Sequence, residues 1–368
     1  MFQGFLFGKP SFTSSGRVDA RREFAEYSES SGLQVFAAPL SSAKTRAMTE
    51  PGRFSHSAAL AAVLAILAPL AFAQQAADPP QVTALSVFVM NADTGQVLYA
   101  KAENKPFRLH SITKLVTAQV LMQRMGDRLH EEVTVMPAYI ASGSTAGLRS
   151  GDVWTLENLL AGMMLVSGND ASLVIADRVG HAILADKKKR GSARARFVQE
   201  MRIAAAELGA TTARFADPHG LSPANVATAR DVARLAATIF RDPRLLPVYE
   251  CKRRLIDVGG PAARTITLDS TIEILGDDNI VAAKTGSHVG KNIYNLVVAW
   301  RAPNGQTIVA VVLGSDNNPA RYRDTRTLLA ALLEDFPELA VATHGTQDRK
   351  VVTCPAAGPL PTPPKATP

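Results

Sequence analysis

A lysine set inside an apolar stretch constrains this chain more than any other feature. In "FRLHSITKLVTAQVL" (residues 107–121) Lys114 follows Ser111 by three positions, and the spacing of Leu115, Ala118, Val120 and Leu121 predicts a buried helix. Residues three apart on a helix share a face, so the fold must bring an amine and a hydroxyl into its interior together. Desolvation disfavours the ammonium form, as does a second cation nearby, and either one lowers the pKa of a lysine. A neutral amine can then take the serine proton and activate a nucleophile without histidine. The competing reading is a helix cap beside a lysine that snorkels to water. A second pair of this kind, Ser41 and Lys44 in "SSAK", lies upstream of a predicted signal peptide, so the spacing alone decides nothing.

Two further segments change the balance. "SGN" (Ser167, Gly168, Asn169) separates the apolar runs "TLENLLAGMMLV" and "DASLVIADRV", putting a hydroxyl and an amide in a tight turn surrounded by core. "KTG" (Lys284, Thr285, Gly286) follows the strand-like "IVAA", and its glycine allows another segment to approach closely. Together and in this order they match the S-x-x-K, S-D-N and K-T-G set of penicillin-binding proteins and class A β-lactamases. A literal "SDN" at residues 315–317 comes after KTG and is read as a loop without a part in the chemistry.

Around these motifs the chain alternates apolar and polar residues on both sides of "ADTG" (residues 85–102), which predicts a hairpin. Helical runs follow at 155–166, 170–179 and 197–208, then "DPHGLSPAN" as a turn and "TARD" as a capping box before "VARLAATIF". Strand-like runs at 264–268, 280–283, 296–300 and 307–313 precede a last helix at 321–334. Strands grouped at both ends predict an α+β fold, an antiparallel sheet flanked by helices, rather than a βαβ repeat.

The 368 residues carry a formal charge of +7. That excess suits anionic partners such as an acidic wall polymer, a lipid surface or nucleic acid, with ordinary solubility the preferred reading. Much of it sits in "KKKRGSARAR" (Lys187–Arg196), read as a solvated loop with weak membrane or wall contact as the alternative. Aromatic residues to stack on bases are missing there, so nucleic acid is not expected. Cys251 and Cys354 show no metal spacing and are expected to remain unbridged, because Cys354 lies in a Pro-rich stretch. "SAALAAVLAILAPL" followed by "AFA" predicts a signal peptide over 48–73, cleaved before Gln74, and hence export to the periplasm or cell envelope. Residues 1–47 read as an upstream leader, an over-long start upstream of Met48. Residues 80–340 read as the catalytic domain and 341–368 as a disordered tail.

The chain resembles the D-alanyl-D-alanine carboxypeptidases, low-molecular-mass penicillin-binding proteins, from about residue 85 to 336. The three motifs carry the likeness, with "ADTGQVLYAKAENKPFRLHSITKLVTA", "TLENLLAGMMLVSGNDASLVIAD" and "FADPHGLSPANVATARDVARLA" around them. The resemblance implies Ser111 as the acylated nucleophile, Lys114 as its base, and Ser167 and Asn169 relaying protons and holding the substrate amide. It implies Lys284, Thr285, Gly286 and Ser287 as the substrate-binding strand, the backbone N–H groups of Ser111 and Ser287 forming the oxyanion hole. The implied partners are peptidoglycan peptides ending in D-Ala-D-Ala and β-lactam antibiotics, with no metal or cofactor. Leu109-His110 stand where the family commonly has Pro-Ala, Ala282-Ala283 where Asp-Gly often precedes KTG, and "SHVGKNIYNLV" is longer than usual. A D,D-endopeptidase on the same scaffold and a catalytically dead wall-binding protein remain open. A class A β-lactamase is disfavoured because no E-x-x-x-N lies between Asn169 and Lys284. A zinc peptidase is disfavoured because the seven histidines are scattered, with His219 read as a turn residue.

Overall fold

The long antiparallel sheet owes its place to strands that are apolar on both faces. The computed structural model describes residues 79–276, 279–342 and 352–354; the leader and signal-peptide readings therefore fall outside the described residues. In chain order the strands are β1 (Ser86–Asn91), β2 (Val97–Lys101), β3 (Phe107–Arg108), β4 (Glu132–Thr134), β5 (Val153–Thr155), β6 (Val226–Ala227), β7 (Cys251–Val258), β8 (Arg264–Asp269), β9 (Ile280–His288), β10 (Ile293–Arg301), β11 (Thr307–Ser315) and β12 (Val352–Cys354). The helices are α1 (Lys114–Met125), α2 (Leu156–Leu165), α3 (Asn169–Asp186), α4 (Ala193–Glu207), α5 (Ala229–Ile239), α6 (Leu246–Tyr249), α7 (Asn318–Asp335) and α8 (Pro337–Ala340).

The main sheet has five strands in the order β2-β1-β11-β10-β9, all pairs antiparallel. Successive side chains of a strand point to opposite faces. Val297 and Ala299 of β10, with Val309 and Val311 of β11, accordingly pack toward the core shared with α1, α2, α3 and α5. Leu296, Val298 and Trp300, with Ile308, Ala310 and Val312, pack toward α7 and α8 on the other face. The α+β expectation therefore holds, as helix layer, sheet, helix layer. β9, which carries KTG, is the edge strand of this sheet.

Three local readings differ from the structure. KTG lies inside β9 rather than at its end, because pairing with β10 continues through Thr285↔Leu296 to His288↔Ile293. β7, "CKRRLIDV", was not anticipated; its charged run hides an alternating pattern in which Arg254 is buried against Glu157. Cys251 and Cys354 are joined by a disulfide with Cα atoms 5.6 Å apart, which overturns the unbridged reading. Val352–Cys354 forms a strand parallel to β7, and this brings the second thiol within bridging span. Among the described residues no helix is long and apolar enough to cross a membrane.

Candidate active site

The turn that carries Ser111 is held by backbone packing. His110–Thr113 form a single 3₁₀ turn that runs into α1 at Lys114, so Ser111 precedes the α-helix rather than opening it. His110 has φ 50°, in the left-handed region where a side chain is uncommon. Two glycines admit this turn. A Cβ at Gly286 would lie 2.3 Å from the Leu109 carbonyl oxygen, and one at Gly220 would lie 1.9 Å from that of His110. The "DPHGLSPAN" loop fastens the turn from the other side: the Leu109 N–H donates to the Asn225 carbonyl (2.9 Å), and Asn225 Nδ2 to Thr113 Oγ1 (3.2 Å).

Lys114 is fully buried. Its Nζ reaches Ser111 Oγ at 2.9 Å, Asn169 Oδ1 at 2.8 Å and the His219 carbonyl at 2.8 Å. Burial, and then the charge of Lys284, push its pKa well below the ordinary lysine range, against the opposing pull of Asp217 and Asp170. The amine is thus three-way positioned and biased toward its neutral form, one hydrogen bond from a half-buried hydroxyl.

SGN and KTG meet directly. Lys284 Nζ, also fully buried, donates to Ser167 Oγ at 3.0 Å. Burial, then the nearby Arg321 cation, lower the Lys284 pKa to about 7. Ser167 holds φ 60° between α2 and α3, a backbone geometry that costs on the order of 1–3 kcal/mol and is usually kept for a purpose. Asn169 opens α3; its Nδ2 donates to the Ser142 carbonyl at 2.8 Å, which turns Oδ1 toward Lys114. All eight expected site residues therefore gather in one place. Ser111, Lys114 and Asn169 form one hydrogen-bonded group and Ser167 with Lys284 a second, while Thr285, Gly286 and the exposed Ser287 continue along β9. Among the described residues no group of three or more His, Cys, Asp or Glu side chains is placed to hold a metal.

A model of the D-alanyl-D-alanine carboxypeptidases matches residues 73–317. The chain belongs to the D-alanyl-D-alanine carboxypeptidase family. A D-alanyl-D-alanine carboxypeptidase of Streptomyces sp. (strain K15) is 29% identical over 264 residues, 69% of this chain and 88% of its own. A D-alanyl-D-alanine endopeptidase of Escherichia coli (strain K12) is 26% identical over 237 residues, 62% of this chain and 72% of its own. The solved structure of the Streptomyces K15 DD-transpeptidase aligns at TM-score 0.63 and 29% identity, covering 69% of this chain and 98% of that one.

This carboxypeptidase-family site also contains groups that the sequence reading passed over. Arg321 of α7 is 5% exposed, and its Nη1 donates to Ser287 Oγ at 2.6 Å. Its charge thereby backs the end of KTG, although nothing local in "NPARYRD" announces it. Asp170 is 1% exposed and accepts the N–H groups of Ala146 (2.9 Å) and Leu148 (3.2 Å) and the Thr145 hydroxyl. It thereby straps down the loop whose Ser142 carbonyl orients Asn169; its place beside Asn169 in "SGND" was the available signal. His219 is a turn residue, as expected, yet its carbonyl holds Lys114. Asp217 shapes that turn. Burial raises its pKa, but the neighbouring His219 imidazole and the N–H groups of Gly220 and Ser222 outweigh burial and hold it at about 2. The decoy "SDN" is structural: Ser315 Oγ donates to Asp324 (2.7 Å), and Asn317 caps α7 through the Ala320 N–H (2.8 Å).

Proposed function

We propose that this chain is a serine D-alanyl-D-alanine carboxypeptidase that trims peptidoglycan stem peptides through an acyl-enzyme on Ser111. The observation that carries the reading is the buried Lys114, biased toward the neutral amine and 2.9 Å from Ser111 Oγ. Ser111 Oγ attacks the carbonyl of the penultimate D-Ala while its proton passes to Lys114. The N–H groups of Ser111 and Ser287 receive the oxyanion. The C–N bond to the terminal D-Ala then breaks, and its nitrogen takes the proton from Lys114 by way of the Ser167 hydroxyl, while the Asn169 amide holds the substrate amide. Water attacks the ester, returns the proton to Ser111 and releases the shortened peptide. Lys284, with Arg321 behind Ser287, supplies positive charge for the terminal carboxylate, and Thr285 hydrogen-bonds it. A β-lactam enters the same attack, but its opened ring stays attached, so it acylates Ser111 and inhibits.

An exported enzyme fits two features: the apolar run before Gln74, and a disulfide, which persists in oxidising compartments. Cleavage of cross-links instead of terminal D-Ala is the second reading, favoured by the likeness to the E. coli endopeptidase. Intact mass with and without penicillin tests the chemistry: wild type is expected to gain one penicilloyl group and Ser111→Ala none. A wild type that gains no adduct and leaves penicillin and muropeptides intact overturns the reading. Muropeptide digests then separate loss of one D-Ala from cutting of dimers.

A further inference from the structure

The positive charge between residues 187 and 196 gathers at the end of the helical layer opposite the catalytic groups. Asn169 and Lys114 open α3 and α1, whereas Lys187 caps the far end of α3 and Arg124 lies in the last turn of α1. At 1.5 Å per residue the 18 residues of α3 separate its two ends by about 27 Å. From Asp186 to Glu200 the chain holds six Lys/Arg and two carboxylates, a surplus of four out of a formal +7 for all 368 residues.

These charges are unevenly exposed. Glu200 is 2% exposed and is covered by Arg124, Arg196 and Lys187, so its negative charge is used inside the cluster. Lys187, Lys188, Lys189 and Arg190 face solvent. Like charges held together cost the fold free energy, and an anion settling among them recovers it. The chemistry of that anion is narrowed by what is absent. Of the exposed large apolar side chains among the described residues, only Ile203 lies on these elements, so the patch lacks the apolar face of an interfacial membrane anchor. The one aromatic residue between 186 and 200, Phe197, is fully buried and cannot stack on a base.

We propose that this end of the molecule docks on the wall polymer itself, through the repeated carboxylates of peptidoglycan, while the groups gathered around Ser111 at the other end of the helices work on a stem. The inference rests on the wall substrate proposed above. Docking is electrostatic and weakens with salt.

Pelleting with insoluble sacculi at low and high salt tests it, using wild type, Ser111→Ala and the triple variant Lys188→Ala/Lys189→Ala/Arg190→Ala. Wild type and Ser111→Ala are expected to pellet at low salt and to be released at high salt. The triple variant is expected to lose pelleting several-fold while its acylation by penicillin is unchanged, which shows that it is folded. Equal pelleting of triple variant and wild type overturns the proposal. Capture by anionic phospholipid vesicles but not by sacculi also overturns it, and assigns the patch to a lipid surface. Salt-sensitive retention by a protein that leaves stem peptides uncut supports the docking surface and removes the proposed activity. Trimming of soluble stem peptides without retention does the reverse.

Discussion

Two buried amines this close do not share protons independently. The charge of Lys284 disfavours the ammonium form of Lys114, so the residue expected to grip the carboxylate also helps keep the base neutral. This sets a pH dependence. As pH rises through about 7 Lys284 loses its proton, so KM for peptides with a free terminal carboxylate should rise while kcat changes little; initial rates between pH 6 and 9 check this. If Lys114 is the base, kcat/KM should drop as pH falls and Lys114 regains its proton, on the same initial-rate series. The Asp170 carboxylate favours the charged form of Lys114, so Asp170→Asn should move this acid limb to lower pH. The same substitution weakens the hydrogen bonds to Ala146, Leu148 and Thr145, at a cost of about 2–3 kcal/mol readable by denaturant unfolding. Ser111, Lys114, Ser167, Asn169 and Lys284 were legible because each motif needs its residue types at fixed local spacing. Arg321 and the His219 carbonyl were not, because they act across contacts that no local pattern encodes.

At the scale of elements, the site is a junction of two helix starts, one edge strand and one turn. The apolar helices and the β10–β11 strands were readable from periodicity. The extent of β9 was not: Lys284 and Thr285 interrupt its apolar pattern although both are buried. β7 escaped for a related reason, since Arg254 enters the interior only because Glu157 of α2 waits for it. Close approach between β9 and the turn that carries Ser111 makes a sharp test. Gly286→Ala places a methyl 2.3 Å from the Leu109 carbonyl and must push Ser111 out of line. Acylation by penicillin should slow by roughly 100-fold, since small misplacements of a reacting group cost that much, and the backbone clash should also lower the melting temperature.

For the molecule as a whole, the sheet is covered on both faces and the chain is closed on itself by a disulfide spanning 103 residues. A loop of that length should confer about 4–5 kcal/mol in the chain-entropy view, so reduction or Cys354→Ser should lower the melting temperature measurably without abolishing penicillin acylation. The bridge escaped the sequence reading because Cys354 stands just before a Pro-rich run, and the pairing of Val352–Cys354 with β7 is not encoded locally. The seat of Ser111 is likewise assembled from afar. Leu109 and His110 present their carbonyls, not their side chains, to Gly286 and Gly220. Main-chain atoms thus close the seat against two distant glycines, while the Leu109 side chain is buried in the core and its N–H is held by the Asn225 carbonyl. A side chain at either glycine would displace this turn, so the position of Ser111 depends on two residues more than a hundred places further along the chain.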